Sequence, residues 1–280
     1  MKTQSVDTQP QAEKLQISLI RQASLAKRIS LVRSLSNTTL QLSRRALAAA
    51  NPDLNQKELQ ILFVELNYGV ELANRFRKRI REKPPMITQE ILEAMRTMVE
   101  VLEQLGIDYY FGGSIASSAL GIPRSTLDLD VVADLHPKDA KAFVQLLKSE
   151  YYVDEEMLLQ AIEQRSTFNL VHLETLFKVD LFVLKNRAFD RQAFTRRVKE
   201  TLDEQETRRQ YYLCTAEDII LNKLERYRQE GEVSERQWLD VLGVMKVQQS
   251  RLDRDYLARW AANLRVGDLL SQALQEAGLS

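Results

Sequence analysis

Apolar residues recur every three or four positions along most of this chain, and the places where the period changes are as informative as the period itself. Leu25, Ile29, Val32, Leu35, Thr39 and Leu42 share one face of a helix expected to end near Ala50, ahead of the Asn51-Pro52 break. Asn55 with Glu58 three residues on reads as a capping box, and Leu59, Leu62, Phe63, Leu66, Val70, Leu72 and Phe76 give a second helix its apolar side. The basic run from Arg75 to Lys83 and then Pro84-Pro85 close it. Two long helices in succession predict a helical hairpin that buries little alone and docks on something else. Ahead of them, residues 1 to about 14 are polar, contain Pro10 and show no apolar period, which predicts a mobile start. Thr88 is the expected N-cap of a further helix carrying Ile91, Leu92, Met95, Met98, Val99 and Leu102, with Gly106 as its left-handed C-terminal cap.

The period switches to two between Asp108 and Leu135, in DYYFGGSIASSALGIPRSTLDLDVVADL. This stretch predicts a strand, a Gly112-Gly113 turn ending in Ser114, a short helical piece, and a second strand. There Leu127, Leu129 and Val131 face a core while Asp128 and Asp130 share the other face. Pro137 suits the first position of a helix over 138–150, and an acidic segment capped by Asp154 follows. The runs 167–173 and 176–184, with a short turn near Glu174 and Thr175, have hairpin spacing; in the second, Asp180 shares a face with Phe182 opposite Val179, Leu181 and Val183. The last hundred residues read as helices. Thr215 with Asp218 and Ser234 with Gln237 are expected caps, and Trp238, Val241, Leu242 and Met245, then Tyr256, Leu257, Trp260 and Leu264, are expected to be inward. The fold class is therefore α+β, a small mixed β-sheet core flanked by helices, with expected segments 1–85 (helical hairpin), 86–188 (core) and 189–280 (helical C-terminal part).

Composition adds limits. A chain of 280 residues holds one large or two ordinary domains, and its single cysteine, Cys214, excludes an internal disulfide framework and fits a reducing compartment. No basic segment precedes an apolar run at the start, and the longest uncharged stretch, Tyr109 to Pro123, is short, so neither a signal peptide nor a membrane span is expected and the cytoplasm is the expected location. Formal charge is zero overall, yet residues 1–83 carry 15 basic and 7 acidic side chains, a net +8 that the remainder offsets with −8. The basic end suits an anionic partner, or the two parts attract each other within one molecule. The cluster Arg75, Arg77, Lys78, Arg79 and Arg81 reads either as a track for a nucleic-acid backbone or as a solvated helix C-terminus favoured by the macrodipole. No aromatic residues interleave it to support base stacking.

Asp128 and Asp130 lie about 6.6 Å apart along an extended strand. At an effective dielectric of about 20 their repulsion is near 3 kcal/mol, which calls for a cation between them. If the 167–184 hairpin lies beside their strand, Asp180 joins them in a three-carboxylate cluster of the type Mg²⁺ selects. Gly112 and Gly113 let backbone approach phosphate oxygens, the helix starting beyond Ser114 points amides at them, and Arg124 suits a bidentate phosphate contact. A D-x-D pair alone proves nothing: Asp253-Arg254-Asp255 has the same spacing at the start of a helix, without a glycine turn or apolar flanks. What distinguishes Asp128 and Asp130 is the ordered set of glycine turn, Arg124-Ser125-Thr126, acidic pair on a strand, and a strand acid about fifty residues on. Lys223 falls in the middle of an apolar stripe made by Ile219, Ala216, Tyr227, Ile220 and Leu224, where its ammonium needs an anion. A triphosphate or a carboxylate such as Asp240 answers that need. His136 and His172, the only histidines, read as a helix cap and a strand residue, and no serine or cysteine nucleophile pairs with them.

Gly112-Gly113-Ser114, Thr126-Leu127-Asp128-Leu129-Asp130 and Val179-Asp180-Leu181 together resemble the three signatures of the DNA polymerase β-like nucleotidyltransferase superfamily, over roughly residues 88–185. Glu217-Asp218, Lys223 and Asp240 are similar to further motifs of its AbiEii-type, abortive-infection toxin branch. The resemblance implies a nucleotidyltransferase core in which Asp128 and Asp130 hold two Mg²⁺ ions on a nucleoside triphosphate and Asp180 binds the ion that activates an acceptor hydroxyl. It also implies that Gly113 and Ser114 grip the β- and γ-phosphates, that Lys223 neutralises phosphate charge and that Asp240 orients Lys223. The implied reaction is in-line attack of an RNA end or a protein hydroxyl on the α-phosphorus with loss of pyrophosphate, possible in a toxin with an antitoxin partner. A small-molecule acceptor of the antibiotic type and a non-catalytic nucleotide- or protein-binding module are the alternatives. Residues 1–83 carry no part of the resemblance.

Overall fold

The computed structural model of the protein describes residues 3–5, 7–77, 91–206 and 208–279, with side chains in the Ile91–Gln104 helix from residue 95 onward. The Thr88 cap, Pro84-Pro85, the side chains of Ile91 and Leu92, and Lys78, Arg79 and Arg81 of the basic run lie outside the described residues. The chain is α+β: helices alternate with strands that pair in both senses. Along the chain the strands are β1 (Tyr109–Phe111), β2 (Asp128–Ala133), β3 (Tyr151–Tyr152), β4 (Thr167–His172), β5 (Lys178–Val183), β6 (Val198–Glu200) and β7 (Tyr211–Leu213). They fall into two compact units: Arg33–Tyr109 with Ser125–Leu184, and Met1–Val32 with Tyr110–Arg124 and Lys185–Ser280.

In the first unit the strand order is β3-β4-β5-β2. The hairpin read from the sequence is present, with β4 and β5 antiparallel, and β5 then pairs with β2 in parallel. Leu129, Val131 and Ala133 of β2 and Val179, Leu181 and Val183 of β5 are buried, in step with the period of two. Leu127 differs from expectation: it precedes the strand and is only half-buried, with its carbonyl engaged instead. Asp154 caps the Glu155–Gln164 helix by accepting from the Met157 amide (3.1 Å). Pro137 opens a short 3₁₀ turn, Pro137–Asp139, so the helix expected over 138–150 spans only Ala140–Leu147. The Leu25–Ala50 helix ends where expected, and the Asn55–Glu58 capping box starts the next one. That next helix is not continuous. Gln56–Tyr68 and Val70–Arg77 are separated by Gly69 at φ 95°, a conformation glycine adopts at little cost and that apolar spacing does not reveal. Gly106 takes its expected positive φ of 66°. In the described part of the basic run, Arg75 pairs with Glu71 (2.5 Å) and Arg77 lies 4.0 Å from Glu65.

In the second unit β1 runs parallel to β7, and β6 is antiparallel to β7. Thr215 and Ser234 cap the helices Ala216–Gln229 and Glu235–Gln248, both at the expected residues. Asp253 of the second D-x-D caps Arg254–Asn263. The N-terminal expectation is corrected. Pro10 begins a helix, Pro10–Gln22, where a mobile segment was expected, and Ile17 and Ile20, just beyond the stretch that shows no apolar period, are buried on it. Glu13 on that helix is fully buried and meets the Lys246 ammonium at 2.9 Å, and the Arg21 guanidinium donates to the Lys246 carbonyl at 2.5 Å. Among the described residues no helix is long and apolar enough to cross a membrane.

A buried ion pair costs desolvation on both sides, so losing one member is worse than losing both. Glu13→Leu is expected to lower unfolding free energy by about 3 kcal/mol in urea denaturation, and the double variant Glu13→Leu/Lys246→Met to recover most of that loss. A double variant no more stable than the single one would show that the pair does not anchor this helix.

Candidate active site

The functional residues read from the sequence are built in two sets, one in each unit. The first is a carboxylate face. Parallel pairing of β2 with β5 sets Asp128 opposite Lys178 and Asp130 opposite Asp180, and strand alternation puts all four side chains on the same side of the sheet. Asp180, expected from sequence only to lie near the pair, is thus the cross-strand neighbour of Asp130. Asp128 and Asp130 are half-buried and Asp180 is buried. Two like charges directly opposite destabilise a strand pair, so something must compensate.

Local partners supply that compensation. The Lys178 ammonium lies 2.8 Å from Asp180 Oδ2, and the Asn169 side-chain amide on β4 donates to Asp180 Oδ1. The Thr126 hydroxyl donates to Asp128 Oδ1 (2.6 Å), while the Thr126 amide is held by Ser36 Oγ (2.9 Å). Thr126, which enters the sequence reading as part of the Arg124-Ser125-Thr126 run, is turned toward Asp128. Beneath the strand entries, the Tyr68 hydroxyl is shared between the carbonyls of Leu127 (3.1 Å) and Leu176 (3.0 Å). Burial, and after it the Asp128 charge, pushes the Tyr68 phenol well above its usual range, so it stays a donor. Its ring lies 5.8 Å from the Lys178 ammonium. His172 takes the structural part read for it: its Nδ1 accepts from the Thr175 amide (3.2 Å) in the β4–β5 turn, and burial lowers its pKa.

Among the described residues no three His, Cys, Asp or Glu side chains converge closely enough to hold a metal ion. Asp128 and Asp180 point at the partners just named. The donor set, hard carboxylate oxygens on adjacent strands, matches Mg²⁺ by type.

The second set is cationic. β1 leads into Gly112, and Gly113 at φ 51° opens the helix Gly113–Leu120, one residue earlier than expected, so Ser114 lies in its first turn. The positive φ at Gly113 is a conformation that glycine adopts at less cost than other residues. Arg124 makes the bidentate contact expected of it, but with a carboxylate: Nε to Asp240 Oδ1 at 2.7 Å and Nη2 to Oδ2 at 2.8 Å. Nη2 also reaches Ser114 Oγ at 2.8 Å. Lys223 is buried as its stripe demanded, and of the two anions that could answer it the structure contains Asp240, 2.8 Å away, with Gln237 Oε1 at 2.9 Å. Asp240 therefore orients Arg124 as well as Lys223. Burial alone would raise its carboxyl pKa, but the Arg124 hydrogen bonds and the Lys223 charge outweigh that and hold it below the usual carboxylate range.

This junction depends on a close approach of backbones. A Cβ on Gly121 would sit 2.7 Å from both Ser117 O and Val244 N and 2.9 Å from Gly243 C, so only glycine lets the end of the Gly113–Leu120 helix meet the Glu235–Gln248 helix there. Gly121 and Gly243 each stand three residues from a member of the Arg124–Asp240 pair. Lys178, Asn169 and Tyr68 were not singled out from sequence, and Gln237 was read only as the partner of Ser234 in a helix cap. Lys178 had a signal, since it alternates with Asp180 on one strand face; Tyr68 and Asn169 had none.

Asp240→Asn leaves two cations without their carboxylate and is expected to cost about 3 kcal/mol at pH 7. Because the folded pKa of Asp240 is depressed, its contribution is complete above the unfolded value of about 3.9 and is lost as pH falls through the folded one. Urea denaturation from pH 7 down to below pH 4 should therefore show the two proteins converging. A deficit that stays constant with pH would assign the loss to packing.

No protein-family description matches the chain, and no curated protein matches it. Among solved structures, it is similar to an antigenic nucleotidyltransferase-like protein from Paracoccidioides brasiliensis at 16% identity and a TM-score of 0.40, covering 65% of this chain and 91% of that one. A likeness of that degree leaves the activity to be argued from the residues.

Proposed function

We propose that this protein is a Mg²⁺-dependent nucleotidyltransferase that moves a nucleoside monophosphate from a triphosphate to an acceptor hydroxyl, on an RNA end or a protein side chain, with pyrophosphate leaving. The observation that carries the reading is the β2–β5 register, which sets Asp130 directly against Asp180 with Asp128 on the same face of an otherwise apolar strand. Three acids in that relation are costly for a fold and useful to a divalent ion. In this reading Asp128, Asp130 and Asp180 hold the metal, and Thr126 and Asn169 steady the outer two. Bound Mg²⁺ would withdraw charge from the phosphate oxygens and favour the acceptor oxygen as a nucleophile. By the resemblance in the motifs, Gly112, Gly113, Ser114, Arg124 and Lys223 would supply the donors and positive charge a triphosphate needs, with Asp240 orienting both cations. The acceptor hydroxyl gives up its proton to solvent and its oxygen bonds to the α-phosphorus as the bond to pyrophosphate breaks, and positioning supplies much of the rate. A toxin-like role with an antitoxin partner accompanies this reading through the resemblance in the motifs.

One observation favours a second reading, a nucleotide- or protein-binding module without catalysis: Asp180 is already neutralised by Lys178. The two readings part on metal. For the enzyme, Asp130→Ala is expected to cut label transfer from an α-labelled triphosphate to RNA or protein in a lysate by about a hundredfold or more, with the fold intact by circular dichroism. Mg²⁺ with triphosphate should also raise the melting temperature of the unmutated protein. Transfer that survives Asp130→Ala rules out the metal role of these acids. A melting temperature indifferent to Mg²⁺ and triphosphate favours the binding module.

A further inference from the structure

Lys178 sits at one corner of a square whose other corners are acids. Strand register places it across from Asp128, chain alternation places it two residues before Asp180 on the same face, and Asp130 completes the square opposite Asp180. Its ammonium is 2.8 Å from Asp180 Oδ2 and 5.8 Å from the centre of the Tyr68 ring. A lysine in that place holds Asp180, the acid that a divalent ion bound to all three carboxylates would also have to reach.

We propose that Lys178 is a resident countercharge that competes with the divalent ion for Asp180. It lets β2 and β5 pair before any metal arrives, and metal binding expels its ammonium to solvent. The inference rests on the metal-dependent reading above and adds to it a residue that sets the metal affinity. Three features support it. Facing carboxylates at Asp130 and Asp180 would oppose strand pairing without an adjacent cation. Asp180 is oriented toward Lys178 and Asn169, in keeping with the absence of a three-acid metal geometry among the described residues. The Lys178 side chain is 19% exposed, so the ammonium has an outlet to water and does not have to be buried elsewhere when it leaves. The exchange is ionic only: one ammonium leaves Asp180 as one hydrated divalent ion sheds water and binds.

The test is calorimetric titration of metal-free protein with Mn²⁺, without nucleotide, for the unmutated chain and for Lys178→Met, which keeps an unbranched stem and removes the charge. Lys178→Met should bind Mn²⁺ about tenfold more tightly. Its metal-free form should melt lower than the unmutated protein, and saturating Mn²⁺ should raise its melting temperature by the larger amount. Lys185→Met, an exposed neighbour in sequence, should bind as the unmutated chain does. If the unmutated protein binds Mn²⁺ and Lys178→Met binds no tighter, the competition is overturned while the metal reading stands. If neither binds Mn²⁺ with or without triphosphate, both fall. A measurement on the unmutated chain needs no variant to fold: Mg²⁺ should speed acylation of the Lys178 amine several-fold relative to Lys185, read by mass spectrometry. Unchanged relative rates would overturn the proposal.

Discussion

The pairing of β2 with β5 is the constraint on which the rest of the candidate site depends. Its register is driven by what lies on the other face: Leu129, Val131 and Ala133 against Val179, Leu181 and Val183, all buried. A slip of one residue would carry every one of those side chains to the polar face, so the apolar face holds the strands in place. The acids therefore cannot escape one another by sliding. Hydrophobic burial holds Asp130 against Asp180, and the polar residues around them are what make the arrangement tolerable: Lys178 and Asn169 at Asp180, Thr126 at Asp128, and the Tyr68 hydroxyl tying together the backbone where both strands begin.

The cationic set solves the opposite problem with the same means. Arg124 and Lys223 are gathered around one carboxylate, Asp240, whereas on the acidic face one ammonium, Lys178, meets Asp180. The formal charge of the acidic square is −2, from three acids and a lysine, and that of the Arg124–Lys223–Asp240 group is +1, from two bases and an acid. The backbone contact at Gly121 brings Asp240 within reach of Arg124, which makes a glycine outside the motif a condition for its electrostatics.

Much of this was legible along the chain because it is decided locally. Thr215, Ser234, Asn55 and Asp154 cap helices by bonds to amides three residues away, and such bonds depend on little beyond the residues between. The alternation in β2 and β5 was legible for the same reason, and so was the need of Lys223 for an anion. Other features had no local cause. Gly69 interrupts an apolar period that runs straight through it. Residues 10 to 22 are helical with Ile17 and Ile20 on the buried face, and Glu13 is tolerated beside them because it finds Lys246 more than two hundred positions away. Tyr68 reaches Leu127 and Leu176 from a helix whose sequence speaks only of packing.

By itself the sequence determined the alternation of helix and strand, the sites of most caps, and the residue types that carry charge in an apolar setting, since each is a matter of neighbours within a few positions. Tertiary structure decided which charges meet. It gave Asp180 to Lys178 and set it against Asp130, and it joined Arg124 to Asp240 rather than leaving it with a local partner. The reason is physical: a period tells which face a side chain occupies, but a salt bridge needs atoms within about 4 Å, and only strand register and helix packing set distances between residues far apart in the chain.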